Sequence, residues 1–338
     1  MKVHQIYQSE ALATLREMQD NTIDCIITDP PYFKAVKEEW DNKWSKKIEF
    51  INWLELIVIE FKRILKSNGS MYIFCSNKMQ AQVQVMIEKH FNILNNIVWD
   101  KGLHVAGRAS TEALRSYFDT SERIIFCEHY GSDSYAKGES GYEKELDKAK
   151  GFIFEPIRNY LESERVRAGI KKEKINGYLG FKETPGAMAS RHYFGKSQWY
   201  LPTEIHYKKM QELFNLDSVI NEFLKKDYEF LKKDYEELKK DYEELRRPFK
   251  AIDLNKSLAV WKYKIVNSNK KNRHICEKPY ELIKHIVETS TNEDAVILDA
   301  FAGSGVVGEV CKHLNRSFTG IELDYKWACI ADDRIKAA

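Results

Sequence analysis

Short apolar runs of strand type alternate with segments of helical spacing at both ends of this chain, and the alternation stops in between. Toward the start stand "DCIITD", then "FINWLELIVIEFKRILK" with apolar residues at helical spacing, "GSMYIFCS", a helix through Met86, "NILNNIVWDK" and "ERIIFCEH". The end resumes the same order with "HICEKPYELIKHIVETS", "AVILDAFAGSG", "VVGEVCKHL" and "SFTGIELD". Strands alternating with helices of that length predict a parallel, doubly wound α/β sheet. Here one sheet is expected from residues 1–132 and 255–338, with a mostly helical, polar insert over 133–254. A chain of 338 residues can bury a full core of this kind and carry a smaller domain beside it.

The insert has two features. From Ile157 to His192 the pattern reads helix, the turn "AGI", a short helix from Lys171 to Tyr178, the turn "LGF" and a further helix, which is the layout of a helix-turn-helix reader. Then "KKDYEFL", "KKDYEEL" and "KKDYEEL" run head to tail from Lys225 to Leu245, so that Tyr228, Tyr235 and Tyr242 alternate with Leu224, Leu231, Leu238 and Leu245. That heptad stripe predicts a helical arm or coiled-coil hairpin over 217–247, stopped by Pro248. A homodimer is one use for such a stripe.

The formal net charge is only +2, so clustering matters more than balance. Between Asn255 and Arg273 there is no Asp or Glu, while Lys262, Lys264, Lys270, Lys271 and Arg273 stand around the rings of Trp261 and Tyr263. Six cysteines lie scattered without a C-x-x-C pair, which predicts a reducing cytoplasm and no zinc site. The first residues lack a signal layout and no stretch reaches the length of a membrane span, so no membrane is expected.

Two motifs carry chemistry. "DCIITDPPYF" is a strand that ends in an acid, two prolines and a ring. Proline has no N–H for a sheet and stiffens the residue before it, so Asp29, Pro30, Pro31 and Tyr32 leave the strand as a rigid turn. The carboxylate of Asp29 and the carbonyl of Pro30 can accept from one exocyclic amino group, and Tyr32 offers a face for a base. Trp40 and Trp44 follow in a segment read as a loop that closes over this pocket. The second motif is "LDAFAGSGVVG", a strand ending in Asp299 and running into a glycine turn at Gly303 and Gly305. Such a turn lets backbone approach a nucleoside at the start of a helix, and Glu322 in "GIELD" stands where a carboxylate takes ribose hydroxyls.

These motifs, with "FKRILKSNGSMYIF", "IVWDKG" and "HICEKPYEL" in the same order, resemble the S-adenosylmethionine-dependent DNA amino-methyltransferases of the permuted class called beta, in which the tetrapeptide precedes the recognition region and the cofactor motif follows it. The resemblance implies a Rossmann-like methyltransferase sheet with an inserted target-recognition region. It implies that Asp29, Pro30, Pro31 and Tyr32 bind the target amino group and base. It places S-adenosylmethionine against Glu10, Asp299, Phe301, Gly303, Ser304, Gly305 and Glu322, with Lys278 and Pro279 at its methionine end. Glu10 stands where the family usually has Asp, after Ser9 in place of a glycine, and Ala300 and Val306-Val307 replace the more usual proline and threonines.

Double-stranded DNA is the expected substrate, held by Lys171, Lys172 and Arg191 in the insert and by Lys262, Lys264, Lys270, Lys271 and Arg273 beyond it. Adenine N6 is the preferred target. Cytosine N4 uses the same chemistry, and an RNA or protein amide substrate or an inactive DNA-binding scaffold are the remaining alternatives. A restriction endonuclease acting on the same site is a natural partner for such an enzyme.

Overall fold

The computed structural model describes residues 2–102, 115, 117, 119–129, 150–196, 198–218, 222–251, 253, 257–266, 274 and 276–338. The chain divides into two compact units, Met1–Gly131 with Arg247–Ala338, and Ser132–Arg246. Its return to the first unit falls at Arg247 and not at the expected 255. Arg247 Nε bonds Glu128 Oε2 at 3.1 Å and its guanidinium lies over the rings of Phe126 and Phe249, so this stretch already packs on the sheet.

The described strands of the first unit are β1 (His4–Gln8), β2 (Ile23–Thr28), β3 (Leu65–Cys75), β4 (Asn92–Asp100), β5 (Ser121–Glu128), β6 (Val260–Lys262), β7 (Val296–Asp299) and β8 (Ser317–Glu322). They form one sheet in the order β1-β8-β7-β2-β3-β5-β4-β6. The last two strands of the sequence are thus inserted between the first two, and both ends of the chain build one sheet as the alternation predicts. The parallel expectation fails at one strand: β5 runs antiparallel to β3 and to β4. An apolar run carries no direction of its own, because direction is set by the connections.

In chain order the described α-helices are α1 (Ala11–Glu17), α2 (Lys47–Ile64) and α3 (Gln80–Glu88), then α4 (Glu155–Arg167), α5 (Lys172–Tyr178), α6 (Met188–His192), α7 (Glu204–Phe214) and α8 (Tyr228–Leu245) in the second unit, and α9 (Tyr280–Ser290), α10 (Val306–His313) and α11 (Tyr325–Ala337) after the return. The central strands are buried on both faces, and their alternate residues feed two cores. Met71, Ile73 and Leu298 join Leu54, Ile57, Val58 and Phe61 of α2 on one face. Tyr72, Phe74 and Ile297 join Ile283, Ile286 and Val287 of α9 and Val310 of α10 on the other. This is the doubly wound arrangement. Beside each other at its centre, β2 and β7 pair parallel through Cys25 with Ile297 and Ile26 with Leu298, so their carboxyl ends open at one edge. Ligands of open α/β sheets bind in that crevice.

The second unit has its own core around Leu161, Ile175, Tyr193, Trp199, Tyr207 and Leu231. Gly169, at φ 68°, makes the turn from α4 to α5. Buried Asn176 then fastens the following loop, donating to Thr184 O and Ser190 Oγ and accepting from Ala189 N. The heptad segment is shorter than expected: α8 begins at Tyr228 and not at 217, which gives a rod of about 27 Å at about 1.5 Å per residue. Its stripe is also occupied. Leu231 is fully buried, and Tyr235 meets Phe154 at 5.2 Å and Trp199 at 5.9 Å between ring centroids. Tyr and Leu at heptad spacing thus serve largely as the inner face of a globular unit.

Candidate active site

The strand β2 ends at Thr28, whose hydroxyl donates to Asp299 Oδ1 at the end of β7 (3.2 Å). Asp29 to Tyr32 then leave the sheet, and Phe33 (φ 61°) and Lys34 (φ 60°) follow in the left-handed region. Two such residues without a glycine cost about 1–2 kcal/mol each. The compensating group is Asp41, fully buried, whose carboxylate accepts from the backbone N–H of Tyr32 (2.7 Å), Ala35 (2.5 Å) and Val36 (2.8 Å). Asp41 therefore ties the tetrapeptide and the turn after it to one point.

Behind the tetrapeptide lies a buried charge cluster. Lys278, 5% exposed, places Nζ 2.5 Å from Asp29 Oδ2 and 3.4 Å from Glu122 Oε2. Glu122 also accepts from the Tyr32 hydroxyl (3.0 Å) and pairs with Lys101. Asp29 Oδ1 is buried without a hydrogen-bond partner. Burial pushes the Asp29 carboxyl above its usual range, Lys278 opposing and Glu122 adding to the rise. For Glu122 burial acts upward too, but Lys278 and Lys101 outweigh it and hold the carboxyl low. Lys278 stays charged, because the two carboxylates outweigh its own desolvation.

The glycine turn after β7 forms a second wall. Gly303 (φ 50°) and Gly305 (φ 78°) are both left-handed, and a Cβ at Gly305 would sit 2.8 Å from Ala331 Cα of α11, so only glycine fits. A Cβ at Gly308 would meet Ile335 at 2.3 Å and Phe318 at 2.7 Å, which makes it the residue that lets α10 lie close on β8. Gly303, Gly305 and Gly308 fall at the G-x-G-x-x-G spacing that dinucleotide turns share, so spacing alone does not choose the ligand. Glu322 accepts Gly303 N–H (2.8 Å) and Asp324 N–H (2.9 Å), and the remaining lone pairs of its two oxygens are left for a ligand. Burial raises its carboxyl, and raises Asp299 to about 7.

Both walls belong to one cavity of about 910 Å³. It is lined by Asp29, Pro30, Pro31 and Tyr32, and by Glu10, Asp299, Phe301, Gly303, Ser304, Glu322 and Lys278. Gly305 and Pro279 stand behind the wall, the first packed on α11 and the second at the N-terminus of α9. Glu10 also caps α1 by accepting Ala13 N–H (2.9 Å).

Other sequence candidates lie elsewhere. Lys262 and Lys264 are exposed at the edge strand and just beyond it, whereas the rings that alternate with them turn inward: Trp261 packs on His285, and the Tyr263 hydroxyl lies 3.0 Å from His285 Nδ1. Lys171 and Arg191 are exposed in the second unit, and Lys172 pairs there with Glu162 (3.3 Å). Lys270, Lys271 and Arg273 lie outside the described residues. Trp44, expected in a closing loop, is a core residue packed on Phe50 and Trp53, and it lines the cavity too. Trp40 also lines the cavity, stacked on His274 at 6.2 Å.

Sequence reasoning missed Asp41, Glu122, Lys101 and His274. Asp41 holds backbone N–H groups and the other three meet residues distant in the chain, and no short string marks such contacts.

Residues 23–332 match a family model described as DNA methylase. Among curated proteins, the chain is 25% identical to Type II methyltransferase M.HpaI of Haemophilus parainfluenzae over 97% of this chain and 72% of that protein. It is 23% identical to DNA adenine methyltransferase YhdJ of Escherichia coli over 98% of this chain and 83% of that one. Among solved structures it resembles PvuII DNA methyltransferase, named cytosine-N4-specific, with a TM-score of 0.54 and 12% identity over 99% of this chain and 86% of that one, a likeness of fold.

Proposed function

From a chain that belongs to the DNA methylase family, we propose a site-specific DNA methyltransferase that moves a methyl group from S-adenosylmethionine to adenine N6 in double-stranded DNA. The observation that carries this reading is the single cavity in which a glycine turn and a strand-end carboxylate face a rigid Asp-Pro-Pro-Tyr turn with an unpartnered buried carboxylate oxygen. Adenine is favoured over cytosine by the name of YhdJ, which matches nearly the whole chain.

The residues present fit the methyl donor. Gly303 brings backbone to the cavity wall and Glu322 can accept ribose hydroxyls there. When bound, S-adenosylmethionine supplies an electrophilic methyl group on a sulfonium. The rest of the reaction falls to the chain. An exocyclic amino group is a poor nucleophile because its lone pair is delocalised into the base. Asp29 Oδ1 and the Pro30 carbonyl, accepting its two N–H bonds, favour the tetrahedral nitrogen and aim the lone pair at the donor. Tyr32 stacks the base, which must first leave the duplex because the nitrogen cannot be reached inside it. Neither nucleophilic cysteine nor prior deprotonation is required.

The order of parts, tetrapeptide at 29–32, second unit at 132–246 and glycine turn at 303–305, supports the permuted beta-class arrangement. In the second unit, the helix-glycine-helix of α4 and α5 with exposed Lys171 and Arg191 supports target recognition. The type II name of M.HpaI supports a place in restriction and modification.

The test incubates the protein with methyl-labelled S-adenosylmethionine and mixed-sequence duplex DNA, then separates the nucleosides. Label in N6-methyldeoxyadenosine is expected. Label in N4-methyldeoxycytidine would keep the mechanism and change the base, and unlabelled DNA beside measurable cofactor binding would overturn the reading.

A further inference from the structure

Lys278 is assigned to the cofactor by resemblance, but its ammonium is spent elsewhere. It bridges Asp29 Oδ2 (2.5 Å) and Glu122 Oε2 (3.4 Å) and lies 5.2 Å over the ring of Tyr32. Both reactive side chains of the tetrapeptide thus rest on one pair, since the Tyr32 hydroxyl also donates to Glu122 Oε2 (3.0 Å). Lys101 takes the other oxygen of Glu122, so two ammonium groups balance two carboxylates in a buried place where an unpaired charge would be costly. One Asp29 oxygen is held, and the other, Oδ1, has no partner.

We propose that Lys278 and Glu122 are positioning residues for the tetrapeptide: Lys278 fixes Asp29 by Oδ2 so that Oδ1 is presented to the target amino group, and Glu122 anchors Lys278 and Tyr32 together. This deepens the methyl-transfer reading and rests on it for its effect on rate. Lys278 also opposes the rise that burial imposes on the Asp29 carboxyl. The titratable groups facing Asp29 are Lys278, Glu122, Tyr32, Asp299, Cys75 and Cys276, with Lys101 behind Glu122. Lys278 is the cation among them in direct contact with Asp29. A carboxyl raised by burial accepts a hydrogen bond with full strength only above its own pKa, so losing Lys278 moves the rising limb of activity to higher pH.

The experiment compares Lys278→Met, Lys278→Arg and Glu122→Gln with wild type for methyl transfer over roughly pH 6 to 9, and for S-adenosylmethionine affinity by calorimetry. For Lys278→Met the expected result is a kcat lower by about 100-fold near neutrality, a rising limb displaced upward, and unchanged cofactor affinity. Lys278→Arg, which keeps the charge, recovers part of the rate. A cofactor contact would instead weaken affinity and leave the pH profile in place, and that result overturns the proposal.

Carbon-13 NMR of the Asp29 carboxyl separates the two readings without any activity. A folded Lys278→Met protein whose Asp29 titrates as in wild type overturns the positioning role. A shifted titration in a protein that methylates no DNA would uphold the role and discard the methyl-transfer reading.

Discussion

Asp29 and Tyr32 sit in one turn and are held by one pair, yet their tasks differ. Asp29 presents an acceptor oxygen, whereas Tyr32 is proposed to supply a face, its hydroxyl being committed to Glu122. Tyr32→Phe keeps the face and is expected to cost only a few-fold in kcat/KM for DNA, while Tyr32→Ala loses base stacking worth about 1–3 kcal/mol, or roughly 5- to 150-fold. Steady-state kinetics on one duplex would show it, and equal losses in both variants would move the role to the hydroxyl. At this scale the tetrapeptide was legible because four adjacent residues of unusual stiffness end an apolar run. Glu122 was not, because an acid inside "SERIIFCE" gains meaning only from Lys278, which lies far away in the sequence.

Among the elements, the turn after β2 carries strain at two successive residues. Phe33 and Lys34 take left-handed backbone, and Asp41 offsets that by accepting three N–H bonds. Asp41→Ala leaves those donors without their acceptor, at about 1–3 kcal/mol for each that stays buried. The expected outcome is a lower midpoint of thermal unfolding and faster proteolytic cleavage within residues 33–40, together with a fall in kcat. Unchanged cleavage would show that the turn holds without Asp41. The heptad helix gives the converse lesson. Its period was plain, but a period does not say which surface the stripe meets, and Phe154 and Trp199 reach it from elsewhere in the second unit. Strand direction was hidden for the same reason: β5 is an apolar run like the strands beside it, and only its pairing reveals the reversal.

For the whole molecule, the sheet closes over both ends of the chain, and the points where the chain leaves and re-enters the first unit are clamped by Glu128 and Arg247 at 3.1 Å. The ends of the first unit's two segments are therefore already adjacent. Replacing residues 132–246 by a short flexible linker should give a protein that unfolds cooperatively and binds S-adenosylmethionine within a few-fold of the parent, since little loop-closure cost remains. Methylation of duplex DNA should be lost with the proposed recognition unit. A chain that fails to fold would show that the first unit depends on the second, despite the separate cores.

The decisive measurement concerns the division of labour inside the cavity. Asp29→Ala should bind S-adenosylmethionine as wild type does, because the proposed cofactor contacts are made by Gly303 and Glu322, after β7 and at the end of β8, while its transfer of labelled methyl to adenine in duplex DNA falls by about 1,000-fold or more. Retained transfer in that variant would contradict the assignment of Asp29 as the acceptor of the amino group, and with it the proposal that one cavity joins the two motifs in a single reaction.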